Sequence, residues 1–349
     1  MKRKYAIFFA LLLCCTLVLT SCSNPLTSIR EFFNKDEQTA ENPDATAAQQ
    51  ESLSEVSAAQ PDNMRPVVMY YKDYDNLLVP VMRYVPKNEL GIAKATLSAL
   101  VYSAEAADDL KPTGLLPSLP MGTKINGAVI KDNGHAVVDF SKEFLTFSSQ
   151  AAEQVGVNAV VYTLTEFPNV KTVEIRVDGK NVAELPQGTK LDASMKRSEI
   201  NLEATENKGD KLSKVMVYYQ KKGKGNYSYF VPVTKQVTGK NSAEAAMTAL
   251  LEGPTADSGL VSPFPDGTKC LGVQVNNAVA YVNLSEEVKQ LQGNLASERA
   301  AKKAISLTLG QFSEISKVQL FVNGSTVEDA DSIGANEFID VPVFVNFYE

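Results

Sequence analysis

The chain has 349 residues, is 44% hydrophobic and 21% charged, and carries a formal net charge of −7 with no Trp and a single His. This composition suits a globular protein with room for two domains of ordinary size, and it excludes a chain too polar to build a core. The acidic balance lacks the basic stripe that phosphate backbones require, so nucleic acid is not an expected partner.

The first elements are targeting signals. Lys2, Arg3 and Lys4 precede the apolar run Tyr5–Leu19, which is short for a membrane span and suited to a secretory signal. The run closes on Leu19-Thr20-Ser21-Cys22, which resembles the lipobox of bacterial lipoproteins. That resemblance implies removal of residues 1–21, a diacylglyceryl group on Cys22, and a chain held on the outer face of the cell membrane. Two acyl chains anchor stably where one binds only marginally. Cys14 and Cys15 leave with the signal, so Cys270 is the remaining unacylated thiol and no internal disulfide framework is expected. It reads as a small buried hydrophobe, since only Lys269 offers it a basic neighbour. Residues 22–64 are rich in Ala, Gln, Glu, Ser and Thr and read as a flexible tether, with a reach of about 35 Å. Leu26, Ile29, Phe32 and Phe33 fall at helical spacing within it and read as a short stub.

The rest of the chain is written twice. VVMYYKDYDNLLVPV from Val67 is answered by VMVYYQKKGKGNYSYFVPV from Val215. Each predicts two strands around a polar turn. An amphipathic helix follows each, with Leu97, Leu100 and Val101 matching Met247, Leu250 and Leu251 at i, i+3, i+4 spacing. Asn88 and Ser242 are the expected N-caps. Next come the hexapeptides LPMGTK (119–124) and FPDGTK (264–269). In them Pro120 and Pro265 fix φ, Gly122 and Gly267 admit unusual backbone angles, and Thr123 and Thr268 start a strand. Hairpins turning at Asp132-Asn133-Gly134 and Asn276-Asn277 follow, then Asp139-Phe140-Ser141 and Asn283-Leu284-Ser285. A second helix and a last strand complete each copy.

The expected organisation is a first domain over 65–191, a linker over 192–214, a second domain over 215–334 and a tail over 335–349. The tail, FIDVPVFVNFY, has no evident counterpart after the first copy and reads as an edge strand or a cover for one. The fold class is α+β: two tandem copies of a small domain with two helices on one face of a mostly antiparallel sheet.

Little in the sequence points to chemistry. His135 stands alone in a hairpin turn and is expected to be exposed. Asp139 in the first copy is Asn283 in the second, which a shared acid–base role would not survive. One His and one free Cys do not make a metal site of that kind, and no cofactor is expected. Gly223-Lys224-Gly225 is a charged turn rather than a phosphate loop. Lys221, Lys222 and Lys224 make a local basic spot that reads as a solvated loop, or as a contact to anionic lipid, cell-wall polymer or a protein.

A lipobox chain with two copies of Val-Tyr-Tyr, Val-Pro-Val, Pro-x-Gly-Thr and Val-Asp-Gly or Val-Asn-Gly resembles the GerM family of sporulation and germination lipoproteins, whose repeated unit is the GerMN domain. The resemblance covers Val67 to about Leu191 and Val215 to about Gly334. It implies a fold similar to ring-building motifs, and a non-enzymatic assembly or scaffolding role for an envelope complex between mother cell and forespore. It further implies protein partners in the trans-envelope channel and a place on the mother-cell membrane facing the forespore. Two other readings are a peptidoglycan (cortex) hydrolase or its accessory factor, and a solute-binding lipoprotein.

Overall fold

Each Tyr-Tyr and Val-Pro-Val pair forms an antiparallel hairpin. In the computed structural model β1 (Met64–Lys72) pairs with β2 (Leu78–Pro86), and β7 (Leu212–Lys222) with β8 (Ser228–Thr238). The structure describes residues 63–87, 91–203, 212–225, 227–327 and 332–348. The signal segment, Cys22, nearly all of the tether and the expected cap Asn88 lie outside these residues.

After β2 the chain forms α1 (Ile92–Ser98) and the short α2 (Ala104–Leu110), where one helix was expected. The first helix starts after Gly91, which donates no side-chain cap. A second cap, Ser103, accepts the Ala106 N–H at 3.0 Å and starts the extra turn. In the second copy α4 (Ala243–Leu251) has the expected cap, with Ser242 accepting the Ala245 N–H at 3.2 Å.

The sheets are built alike. In the first copy β3 (Ile125–Ile130), β4 (His135–Phe140), β5 (Thr172–Val177) and β6 (Lys180–Asn181) lie in that order. In the second, β9 (Cys270–Asn276), β10 (Val279–Leu284), β11 (Lys317–Val322) and the later β12 (Ile339–Asp340) do the same. The hairpin pairs β3–β4 and β9–β10 are antiparallel; β4–β5 and β10–β11 are parallel. A parallel pair needs a crossover, supplied by α3 (Gln150–Thr165) and α5 (Leu295–Leu309). Alternation places Ala136, Val138 and Phe140 on the buried face of β4, and Ala280, Val282 and Leu284 on that of β10. Against these faces pack the helices, and against the helices packs the hairpin of the same copy.

The repeated Tyr-Tyr pair is explained by where its backbone groups go. Among the described residues the outer edge of β1 meets only an isolated bridge, from Lys72 to Leu116, so the Tyr70 N–H donates instead to Thr163 Oγ1 of α3 at 3.0 Å. Tyr218 does the same with Thr308 of α5 at 3.3 Å. A Thr inside each crossover helix thus caps the edge of a strand.

The hairpin turn of the second copy carries strain. Asn277 and Ala278 take φ of 51° and 63°. Asn tolerates that region and Ala does not. Ala278→Gly is expected to raise stability by about 0.5–1 kcal/mol in denaturant melts. A loss of stability would show that the turn is not held there.

Candidate functional site

The twin hexapeptides form tight turns at the entrance to the edge strands β3 and β9. Thr123 N–H donates to Pro120 O at 3.3 Å, and Thr268 N–H to Pro265 O at 3.2 Å. Gly122 and Gly267, third in each turn, have φ of 80° and 84°, as a type II turn demands. The last residue of each following tripeptide closes the motif: Ser141 Oγ accepts the Lys124 N–H, and Ser285 Oγ the Lys269 N–H, both at 2.9 Å. Gly122→Val and Gly267→Val are each expected to cost about 2 kcal/mol, since both place a branched side chain at positive φ. Unchanged melting temperatures in both variants would refute the turn.

Asp139 and Asn283 hold equivalent places and do one job. Asp139 Oδ1 accepts the Gly179 N–H at 2.7 Å, and Asn283 Oδ1 accepts the Gly324 N–H at 2.8 Å. A single acceptor oxygen suffices, which explains the exchange of carboxylate for amide. His135 is not the exposed turn residue expected. It opens β4 and is largely covered, with Nδ1 2.9 Å from Thr172 Oγ1 and Nε2 3.0 Å from Glu174. Hydrogen bonds from His135 and Arg176 hold the Glu174 carboxyl below its ordinary range. Burial pushes the Cys270 thiol up to about 11, away from reactivity at neutral pH. No group of three or more His, Cys, Asp or Glu side chains suited to a metal occurs among the described residues.

What the fold assembles most deliberately is the seam between its two copies. There β2 meets β8. Pro80 and Pro232, from the Val-Pro-Val stretches, carry no N–H, so the two edges cannot complete a ladder directly. Two asparagine amides stand in for backbone. Asn201 Oδ1 accepts the Leu78 N–H at 2.8 Å, and its Nδ2 donates to Leu78 O at 2.8 Å and Pro232 O at 2.7 Å. Asn346 Oδ1 accepts the Phe230 N–H at 2.8 Å, and its Nδ2 donates to Phe230 O and Pro80 O, both at 2.8 Å. Leu78 and Phe230 occupy matching places before the two prolines, so each half of the seam is the other with the copies exchanged.

The tail therefore does have a counterpart, contrary to the expectation from sequence. Met195 bridges antiparallel to Val173 of β5, as Ile339 of β12 does to Val318 of β11. Both segments then run to the seam, place their asparagine, and bond once more: Glu203 N–H to Thr234 O at 3.0 Å, and Tyr348 N–H to Met82 O at 3.3 Å. In the linker, Ile200 is fully buried beside Tyr70 and Tyr162.

Two members of the basic spot, Lys221 and Lys224, serve this seam, while Lys222 stands exposed. Lys221 Nζ lies 2.6 Å from Asp73 Oδ2 and 2.5 Å from Asp75 Oδ2, both on the first hairpin. Burial alone would lower the Lys221 ammonium; the two carboxylates more than offset this and hold it above its ordinary value. Lys224 Nζ sits 5.0 Å from the centre of the Tyr74 ring. Gly223 packs so closely on the Thr113 carbonyl that a Cβ would lie 2.2 Å from its oxygen.

One side of the seam stays open. A groove of about 480 Å³ is lined by Asn76, Gln154, Asn158, Glu199, Asn201 and Ser258, with leucines at its floor. At the matching places on the other side, Phe230, Phe347 and Tyr348 replace Leu78, Leu202 and Glu203; Phe347 packs with Tyr84 and Tyr348 with Tyr227. Among the described residues no helix is long and apolar enough to cross a membrane.

Comparison with known proteins agrees with this architecture. A family model described as "Germane: Sporulation and spore germination" matches residues 68–183 and 216–328. The spore germination protein GerM of Bacillus subtilis (strain 168) is 26% identical over 352 residues, covering 93% of each chain. A solved structure of the tandem GerMN domains of the sporulation protein GerM from Bacillus subtilis superimposes with a TM-score of 0.69 at 27% identity. It is matched over its whole length and covers 82% of this chain. A mixed α and β fold, doubled along the chain and shared with that structure, makes this protein a member of the Germane family of sporulation and spore germination.

Proposed function

We propose that the chain is a lipid-anchored, non-enzymatic assembly factor of sporulation and germination. Cys22 would hold it on the outer face of the mother-cell membrane, where it faces the forespore and places protein components of an envelope complex. The observation that carries this reading is the seam. Two like modules are fixed to one another through exchanged asparagines, so that the chain offers two similar surfaces at a set spacing. Among the described residues each sheet ends on a strand with no further strand beside it, β3 with Val129 60% exposed and β9 with Leu271 48% exposed. An open edge with apolar side chains is suited to pairing with another chain.

Affinity capture of the full chain from sporulating cells tests the role. Membrane components of the envelope complex should be recovered from these cells and not from vegetative ones. Recovery of no such component from either would overturn the assembly reading. Cys22→Ala is expected to shift the protein from the membrane to the soluble fraction. Retention of that variant after a carbonate wash would show that something other than lipid holds it.

The open groove favours a second reading, contact with peptidoglycan as a cortex hydrolase or its accessory. The side-chain amides of Gln154 and Asn158 offer donors and acceptors to a neutral glycan. Dose-dependent release of muropeptides from purified cortex would establish this reading and displace the first.

A further inference from the structure

A second open groove, of about 640 Å³, lies in the first copy between α1 and the edge strand β3. Its lining is unlike the acidic surface expected of this chain. Lys94 and Lys124 contribute two ammonium groups, and among the described residues neither lies within ion-pair distance of a carboxylate. Thr123, Ser103 and Asn126 add polar side chains. Ser103 Oγ accepts the Ala106 N–H, which leaves its own proton to donate. Ser98 also lines the groove, but its proton is spent on Lys94 O at 2.8 Å.

The decisive atom is Thr123 Oγ1. Thr123 is 6% exposed, and its hydroxyl has no hydrogen-bond partner. A buried hydroxyl left unpaired costs about 1–3 kcal/mol, and such groups are rare without a reason. The twin threonine shows that the fold does not require this. In the second copy Thr268 Oγ1 donates to Pro265 O at 2.7 Å.

Of the rest of the set, the second copy keeps one lysine, Lys269 for Lys124, and loses the others. Matching Leu97 to Met247 and Val101 to Leu251 puts Glu244 where Lys94 stands, and Gly253 where Ser103 stands. Matching the hexapeptides puts Leu271 where Asn126 stands. The same scaffold therefore carries two lysines and free donors in one copy, and a lysine set against a carboxylate and an apolar side chain in the other. Turn geometry cannot account for that difference, because both turns are alike.

We infer that the groove of the first copy binds a phosphate oxyanion, free or on a lipid headgroup. The two lysines supply the charge, as point donors with no fixed fork. Ser103 donates its hydroxyl proton to a remaining oxygen, the Thr123 hydroxyl beneath the groove surface turns outward to donate to another, and Asn126 donates from its amide. Sulfate shares the shape, and carboxylates share the charge but offer fewer oxygens to these donors.

The test uses the full chain in neutral detergent, with inorganic phosphate as the probe followed by phosphorus NMR at fixed ionic strength. Wild type should broaden and shift the phosphate resonance in a saturable way. Lys94→Glu, which copies the second domain, should weaken binding at least tenfold. Thr123→Val should weaken it several-fold, and Thr123→Ser should retain it. Lys94→Ala, with a melting temperature equal to wild type, guards against a folding defect. No saturable response from wild type, or an equal response from wild type and folded Lys94→Glu, would overturn the inference. Doping the micelles with phosphatidylglycerol separates the sources. If it displaces phosphate where phosphatidylcholine does not, the site takes a lipid headgroup. If neither displaces it, the site takes the free anion.

Discussion

Asn346→Leu is expected to lower stability by about 3–5 kcal/mol and the melting temperature by about 10 °C. The leucine fills a similar volume but leaves three groups without a partner: the Phe230 N–H, Phe230 O and Pro80 O. Asn346 and its bonds are buried, so water does not take over readily. Asn201→Leu removes the equivalent three bonds at a half-buried place and should cost less. Thermal melts followed by circular dichroism report both. An Asn346→Leu protein within about 1 kcal/mol of wild type would mean that the seam is not held by this amide.

Gly223→Ala should cost about 2–4 kcal/mol, because the added Cβ would sit 2.2 Å from the Thr113 carbonyl oxygen and 3.1 Å from that of Tyr227. Both neighbours are backbone, which yields poorly. Gly225→Ala provides the contrast. Gly225 has φ of 62° but nothing within 4 Å of its missing Cβ, so its cost is the left-handed conformation alone, about 1 kcal/mol. Denaturant titrations of the two variants should rank Gly223→Ala well below Gly225→Ala. Equal losses would remove the close approach between the copies from the account.

Much of the fold is legible in the sequence because repetition multiplies weak signals. Pro-x-Gly-Thr alone is only turn chemistry, but twice, in order with Tyr-Tyr, Val-Pro-Val and the helical stripes, it marks two copies of one domain. Asp139 and Asn283 could be matched by position, and the exchange of acid for amide argued against a shared acid–base role; the acceptor role they share appears only once Gly179 and Gly324 are brought to them. The seam was hidden for a definite reason. Its two asparagines sit in Glu-Ile-Asn-Leu-Glu and in Phe-Val-Asn-Phe-Tyr-Glu. Only an Asn between two apolar residues is common to both, because the work is done by one amide and by backbone groups that any residue supplies. Lys221 and Gly223 were equally unreadable, since Asp73, Asp75 and Thr113 lie more than a hundred residues away in the chain. His135 was misjudged because a turn flank does not reveal what the neighbouring parallel strand, with Thr172 and Glu174, brings against its ring.

The exchanged asparagines have a thermodynamic consequence. Two separate molecules meeting through such a surface would come apart on dilution. Written on one polypeptide, the partners see each other at an effective concentration on the order of millimolar, whatever the abundance of the protein in the cell. A scarce protein can then keep its twofold geometry with no threshold to reach, and its arrangement is governed by synthesis of the chain rather than by encounter.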